Sequence, residues 1–152
     1  MPQFVLLHHE ISAGGNKPSH WDFMLERDGK LLTWSLPQLP RAWQSAIRAS
    51  NAPLADKAPN DALGVSADLD CVPAERLSDH RIEYLDYQGA LTRGRGQVVR
   101  IDRGTYYLLL DSPDALSVKL SGSAIVGHAE LFAREDANIA EHSAWWTLHW
   151  RG

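Results

Sequence analysis

Residues 20–30 read HWDFMLERDGK and predict a strand that runs into a tight turn. Successive side chains of a strand point to opposite sides, so this segment has two distinct faces. One face is apolar and consists of Trp21, Phe23 and Leu25. The other is more polar and consists of His20, Asp22, Met24 and Glu26. It places an imidazole and a carboxylate two residues apart, about 7 Å along the backbone, close enough for both to bind one metal ion.

The turn after this strand is formed by Asp28 and Gly29. An Asp-Gly pair favours the type I′ turn of a two-residue hairpin, because both central positions need a positive φ. Residues 30–36 are therefore predicted to pair back onto the first strand. Two prolines end that strand, and residues 41–49 are predicted to form a short helix with one apolar side.

Similar alternating segments, separated by Gly, Pro and Asp, recur along the chain and predict further strands. Strands are predicted over residues 3–9, 20–26, 30–36, 81–88, 97–102, 105–111, 116–121, 124–133 and 144–150, with an additional edge strand at 63–67. Residues 50–72 otherwise read as a long surface segment. Eight or nine short strands with one clear helix are typical of a small antiparallel barrel or sandwich.

The composition indicates one globular domain that covers residues 1–152. A chain of this length buries roughly 68–70% of the surface that its unfolded form exposes, so it needs no disulfide to fold. The single cysteine, Cys71, is predicted to be a small, partly buried residue. The tryptophans predicted to pack in the core are Trp34, Trp145, Trp146 and Trp150. The first residues lack a basic leader, and no apolar stretch approaches the ~18 residues of a membrane span, so we expect a cytoplasmic protein.

The charge of the chain limits the ways in which it could bind nucleic acid. The net charge is −4, which argues against a general nucleic-acid-coating protein, because such proteins need a basic surface to replace counterions. An enzyme that binds only the end of a nucleic acid is compatible with this charge. A local basic cluster lies within eleven positions and consists of Arg93, Arg95, Arg100 and Arg103.

Two groups of residues are candidates for chemistry. His9 ends the first predicted strand and His20 begins the second, so the loop between them brings their side chains together. With Asp22 they form a two-histidine, one-carboxylate set that suits Mn²⁺, Zn²⁺ or Fe²⁺. A hydrogen-bonded structural pair is the alternative for a His-x-Asp motif. His80 and Tyr84 would share one face of a strand, and their alternative roles are a capping histidine and an interface tyrosine.

These motifs resemble the 3′-phosphoesterase domain of bacterial DNA ligase D, a non-homologous end-joining enzyme. That family has a hydrophobic strand ending in His, then HYDFRLE, then DG and a strand that ends near WAVP. This chain has FVLLHH at 4–9, HWDFMLE at 20–26, DG at 28–29 and WSLP at 34–37. The later family motifs DHPxxYxxFEG and WDRGT correspond to DHRIEYLDYQG at 79–89 and IDRGT at 101–105.

The resemblance implies a compact antiparallel β-barrel with one or two short helices. It also implies a bound divalent metal, Mn²⁺ first and Zn²⁺ second, and removal of a 3′ ribonucleoside and then a 3′ phosphate from a primer end. By position, His9, His20 and Asp22 would bind the metal, and His80 and Tyr84 would contact the scissile phosphate. The expected partners are a nucleic-acid 3′ end or a related phosphate ester and separately encoded ligase or polymerase proteins. We expect a monomer and no membrane partner.

The chain departs from the family at a phosphate-binding position. The family's arginine after Asp-Phe is Met24 here, and a thioether cannot bind phosphate. Arg93 or Arg95, in a connection that is acidic in the family, could supply the missing charge. The second hypothesis is therefore a non-catalytic barrel that binds metal or a nucleic-acid end as a repair or ligation adaptor. A third is a structural metal site, for which the candidate fourth ligands are His128, His142 and His149.

Overall fold

The computed structural model describes residues 1–11, 19–49, 70–91, 96–134 and 144–152. Within these ranges it contains nine β-strands, one α-helix and one 3₁₀ helix. The strands are β1 Gln3–Glu10, β2 His20–Arg27, β3 Lys30–Leu36, β4 Cys71–Arg81, β5 Gly89–Ala90, β6 Gln97–Ser112, β7 Ala115–Gly122, β8 Val126–Ala133 and β9 Ala144–Trp150. The α-helix α1 is Arg41–Ala49, and the 3₁₀ helix is Ile82–Leu85.

The strands form one antiparallel sheet that closes on itself. Their order is β1-β2-β3-β4-β9-β8-β7-β6-β5, and β1 also pairs with β6. That additional pairing joins the two sides of the sheet into a ring of eight strands, with β5 attached to β6 outside it. Closure satisfies backbone groups that an open edge would leave unpaired. The predicted antiparallel barrel is therefore confirmed.

The interior of the ring is the main hydrophobic core. Every strand of the ring contributes to it, and its fully buried residues include Phe4, Leu6, Phe23, Leu25, Trp34, Val118, Leu120 and Leu148. Helix α1 lies over one end of this core, where the Trp43 ring contacts Phe23 and Trp150 at centroid distances of 5.4 and 5.7 Å. Trp43 and Ile47 lie one turn apart on the helix and are both buried.

A second, smaller cluster lies on the outer face of the sheet. It consists of Val5, Leu7, Met24, Leu31, Leu85 and Val98. Alternation along β1 and β2 sends one set of side chains into the interior and the other set into this cluster. The 3₁₀ helix supplies Leu85, and its Ile82 and Tyr84 pack against the same cluster. The strands that carry the candidate metal ligands are therefore buried on both faces over much of their length.

Several local predictions are confirmed. Asp28 and Gly29 have φ values of 53° and 78°, as a type I′ turn requires, and β2 and β3 pair in register on either side of it. The bounds of α1, β3 and β9 agree with the predicted segments. Cys71 is partly buried, as expected.

The prediction for residues 71–88 was wrong. Residues 71–72 were predicted to end a surface segment, and residues 73–80 were assigned no element, but residues 71–81 form β4. A strand was predicted over residues 81–88, but residues 82–85 form the 3₁₀ helix. Pro73 is tolerated because β3 pairs with β4 only from Glu75 onward, so no strand on that side needs its missing N–H. The 3₁₀ repeat of three residues points Ile82 and Leu85 to the same side, onto the second cluster.

Two further expectations were also wrong. Gly104 does not divide residues 97–102 from 105–111, because β6 is one strand of 16 residues. Gly104 instead faces Gly122 of β7, where a Cβ would overlap the backbone carbonyl of Ser121. Trp145 is 40% exposed and lies outside the core, whereas Trp34, Trp146 and Trp150 are buried as predicted. Alternation along β9 explains the difference, because Trp145 points to the opposite face from Trp146.

The proposed edge strand at 63–67 and most of the 50–72 segment lie outside the described residues. Among the residues that are described, no helix has the length and apolar character that a bilayer crossing requires.

Candidate metal centre

The pairing of β1 with β2 brings three candidate ligands together. His9 lies directly opposite His20 in the ladder, and Leu7 lies opposite Asp22. Directly opposed residues of an antiparallel pair share a face, so His9, His20 and Asp22 all point to the outer side of the sheet. His8, one residue earlier, points the other way and stacks on Trp21 at a ring distance of 5.1 Å. The predicted convergence of the three side chains is therefore present.

The ligand atoms of these residues are close enough to share one ion. They all lie within 4.8 Å of one another. Nδ1 of His9 is 3.7 Å from Oδ2 of Asp22, and Nε2 of His20 is 3.3 Å from Oδ1. The two imidazole rings lie 4.8 Å apart, with their planes at 61°. Among the described residues this is the one group of three or more His, Cys, Asp or Glu side chains with such spacing.

The electrostatics of the cluster keep Asp22 ionised. Burial raises the pKa of Asp22, but polar contacts and charge interactions with His20 and then His9 outweigh it and lower the pKa from 3.8 to about 2. The carboxylate is therefore negative at neutral pH. His9 is the most open of the three side chains, at 17% exposure against 9% for His20 and 6% for Asp22. Among the three candidate ligands, His9 therefore has the most contact with solvent.

The residues present fit a divalent cation. Oδ1 of Asp22 is buried and accepts no well-aligned hydrogen bond from the described residues, although Nε2 of His20 lies 3.3 Å away. A buried carboxylate oxygen in this state needs a further partner, and a cation would provide one. Two imidazoles and one carboxylate leave coordination positions for substrate, which is the pattern of catalytic rather than closed structural sites.

Two of the three proposed fourth ligands belong to another part of the sheet. His128 lies on β8, with Nε2 2.5 Å from Oγ of Ser117. His149 lies on β9, with Nδ1 3.7 Å from Oε1 of Glu130. Neither belongs to the group formed with Asp22. The third candidate, His142, lies outside the described residues.

His80 and Tyr84 are brought together, though not as neighbours on one strand. His80 is in β4 and Tyr84 is in the 3₁₀ helix that directly follows it, and the centroids of their rings lie 5.8 Å apart. His80 lies opposite Leu31 of β3, so it also faces the outer side of the sheet. Two strand spacings of about 4.8 Å and four residues of about 3.3 Å separate Asp22 from His80, so their backbones lie roughly 16 Å apart. A single substrate would have to span the surface between them.

Met24 occupies the centre of that surface. It is 1% exposed and belongs to the second cluster, with Val5 opposite on β1 and Leu85 of the 3₁₀ helix in the same cluster. The position at which the resembled family has an arginine is therefore covered and apolar in this chain.

Arg103 has a role that the sequence did not reveal. Its guanidinium donates hydrogen bonds to Oε1 of Gln3 and to the backbone carbonyl of Leu85, and it forms an ion pair with Asp86. These contacts hold the end of the 3₁₀ helix against β1 and β6. Gln3 lies 100 residues from Arg103 in the chain, and Leu85 lies 18 residues away, so no local spacing signals the arrangement. The proposed phosphate-binding residues Arg93 and Arg95 lie outside the described residues.

Asp102 is a second residue whose role only the structure reveals. It is 4% exposed and accepts hydrogen bonds from the backbone N–H groups of Arg103, Ser123, Ala124 and Ile125. It thus ties β6 to the connection between β7 and β8. In the sequence, Asp102 only matched the family motif WDRGT, and that match did not indicate that it connects β6 to the β7–β8 connection.

Comparison with known proteins shows a similarity to part of a much longer protein. No protein-family model matches the chain. The chain is 26% identical over 151 residues to the multifunctional non-homologous end joining protein LigD of Pseudomonas aeruginosa. The alignment covers 94% of this chain but 15% of LigD, so the chain spans only a small part of that relative's length. In sequence, the chain is therefore similar to one part of LigD.

Proposed function

We propose that this chain is a metal-dependent phosphoesterase that acts on 3′-phosphate or 3′-ribonucleoside ends of nucleic acid in DNA repair. The observation that carries the proposal is the convergence of His9, His20 and Asp22, whose ligand atoms lie within 4.8 Å of one another. The similarity to a non-homologous end joining protein supports the repair context. The motif resemblance to the 3′-phosphoesterase domain supports the specific reaction.

Each residue has a role consistent with its position. His9, His20 and Asp22 would hold a divalent ion, with Mn²⁺ favoured by the resemblance and Zn²⁺ also compatible with the ligands. When bound, such an ion would supply positive charge that offsets the charge of phosphoryl oxygens and favours ionisation of a water molecule. By the resemblance, His80 and Tyr84 would contact the scissile phosphate. Because the backbones of His80 and Asp22 lie roughly 16 Å apart, this role requires both side chains to reach toward the metal ligands and donate hydrogen bonds to the phosphoryl oxygens there. The remaining steps of end joining would come from separately encoded ligase or polymerase proteins, with this chain acting as a monomer.

The buried position of Met24 favours a second candidate function. Between the metal ligands and the His80–Tyr84 pair, position 24 lies in an apolar cluster of the described residues and supplies no cation to stabilise a phosphoryl group. A barrel of this kind could bind metal or a nucleic-acid end without catalysis and serve as an adaptor in repair or ligation. The net charge of −4 is compatible with this alternative. Measured turnover distinguishes the two functions.

The decisive assay is release of phosphate from a short primer–template that carries a 3′-phosphate. We expect chelator-stripped protein to be inactive and Mn²⁺ to restore release, while a matched substrate with a 5′-phosphate and a 3′-hydroxyl stays intact. Tyr84→Phe should lower the rate about 100-fold, as loss of one transition-state donor does. Tyr107→Phe, on an exposed residue of β6, is the matched control and should leave the rate unchanged.

A protein that carries one metal ion per chain but releases no phosphate would contradict the phosphoesterase proposal. Retained binding to the 3′-phosphate primer in that protein would support the adaptor function instead.

Restoring the family's arginine is expected to damage this protein. Met24→Arg would place a cation at a site that is 1% exposed and lies in the same apolar cluster as Leu85, so the free energy of unfolding should fall by about 2–4 kcal/mol. Urea denaturation measures the change, and Met24→Leu, which keeps the apolar volume, should cost less than about 1.5 kcal/mol. Full stability of Met24→Arg together with faster phosphate release would mean that position 24 opens to substrate, contrary to this expectation.

A further inference from the structure

A β-bulge in β6 places two arginines, Arg100 and Arg103, on the outer face of the sheet, which also carries the candidate metal centre. The β1–β6 ladder pairs Leu6 with Asp102 and Leu7 with Arg100, so Ile101 is an extra residue on β6. Without it, His8 rather than Leu7 would face Arg100, and Arg100 would point into the barrel, because a one-residue slip moves a side chain to the other face. The bulge therefore puts Arg100 on the outer face, while Ile101 remains in the core.

Arg100 and Asp22 lie in the same row of the sheet. Leu7 of β1 is opposite Asp22 on one side and opposite Arg100 on the other. Two strand spacings of about 4.8 Å separate the backbones of Arg100 and Asp22, which is roughly 10 Å. His9 lies two residues further along β1 on the same face, next to Val98 of β6. A phosphate group held at the three candidate ligands would therefore lie within reach of the long Arg100 side chain.

The two outward arginines differ in what they already bind. The guanidinium of Arg103 is occupied by Gln3, Asp86 and the Leu85 carbonyl. The Arg100 side chain is half-buried and forms no hydrogen bond or ion pair with the residues that the structure describes. Its backbone N–H donates to Oε1 of Gln88 at 2.9 Å. The backbone at Arg100 is therefore held in place, while its guanidinium has no polar partner among the described residues.

We propose that Arg100 binds the substrate phosphate. It would take the place of the arginine that the resembled family has at the position of Met24. This inference rests on the proposed function and assigns the phosphate-binding role to β6 rather than to β2. A guanidinium presents paired N–H donors that match two oxygens of a phosphate, and no described cation is better placed on the row that contains Asp22. The bulge is the feature that makes this possible.

The test is binding of inorganic phosphate to the Mn²⁺-loaded protein, measured by titration calorimetry. Arg100→Gln should weaken phosphate binding about 10- to 100-fold, the expected loss for a charge-assisted pair, and leave Mn²⁺ affinity unchanged. Arg100→Lys should retain part of the affinity, because it keeps the charge but loses the paired donors. Lys119→Gln, which removes one exposed positive charge from β7, is the control and should bind phosphate like the wild type.

The outcomes separate this inference from the proposed function. If Arg100→Gln binds phosphate as the wild type does, Arg100 is not the phosphate ligand, and Mn²⁺-dependent release by the wild type would still support the phosphoesterase. If the wild type binds Mn²⁺ but neither binds phosphate nor releases it from a 3′ end, the proposed function fails and the role of Arg100 fails with it. A matching loss of Mn²⁺ affinity in Arg100→Gln would also overturn the assignment, since it would indicate damage to the metal centre.

Discussion

Replacing Asp22 by asparagine is expected to lower the affinity for Mn²⁺ at least about 100-fold and to abolish metal-dependent phosphate release. Asp22 is the one carboxylate of the described cluster, and its pKa of about 2 keeps it negative at neutral pH. Asparagine has nearly the same shape but no charge, so the described cluster would lose its anionic ligand. Loss of a residue that only hydrogen-bonds to a metal ligand typically lowers metal affinity about 10- to 100-fold, and removal of a ligand itself should lower it at least as much. Titration calorimetry with Mn²⁺ and the 3′-phosphate assay measure the two effects.

Asp28→Asn provides the matched control for this variant. It makes the same chemical change in the same hairpin, at the turn rather than at the cluster, and Asn-Gly is as suitable for a type I′ turn as Asp-Gly. Its metal affinity and activity should equal those of the wild type. Wild-type Mn²⁺ affinity in Asp22→Asn would show that the three side chains form a hydrogen-bonded structural group rather than a metal site.

Asp102→Ala is expected to lower the free energy of unfolding by about 3–5 kcal/mol. Asp102 is buried, and four backbone N–H groups donate to its carboxylate. Alanine would leave these donors without their acceptor at the junction of β6 with the β7–β8 connection, and unsatisfied buried donors cost about 1–3 kcal/mol each before relaxation or hydration. Urea denaturation followed by tryptophan fluorescence would measure the change.

Asp111→Ala is the control for Asp102→Ala, because it removes an aspartate from the same strand. Asp111 forms an exposed ion pair with Arg27, with Oδ2 2.5 Å from Nη2, and such pairs contribute at most about 1 kcal/mol. Equal losses in the two variants would contradict the structural role assigned to Asp102.

The parts of the fold that could be predicted depend on short-range patterns. The β2–β3 hairpin follows from alternation and from a turn pair suited to positive φ, and α1 follows from its prolines and apolar side. The convergence of His9 with His20 also follows, since an antiparallel pair must bring the ends of consecutive strands together. Binding of a metal by this group remains a prediction.

The parts that could not be predicted depend on distant partners. Residues 71–81 contain a proline and several charges, yet they form β4 because β3 and β9 pair with them on either side. Gly104 looked like a strand break, but its lack of a side chain allows close contact with β7. His80 and Tyr84 meet through the 3₁₀ helix, which is held in place by Arg103 and by packing on the second cluster.

By itself, the sequence determined that the chain is mainly β, that β2 turns into β3 at Asp28, and that two histidines and Asp22 share one face. These features follow from the period of two in a strand and from the φ requirements of a turn, both of which are local. Only the tertiary structure decided that Met24 is covered and that Arg100 lies on the same face of the sheet as the candidate metal centre. Both depend on which strand pairs with which, and in what register, and a single extra residue at Ile101 is enough to reverse the side to which an arginine points.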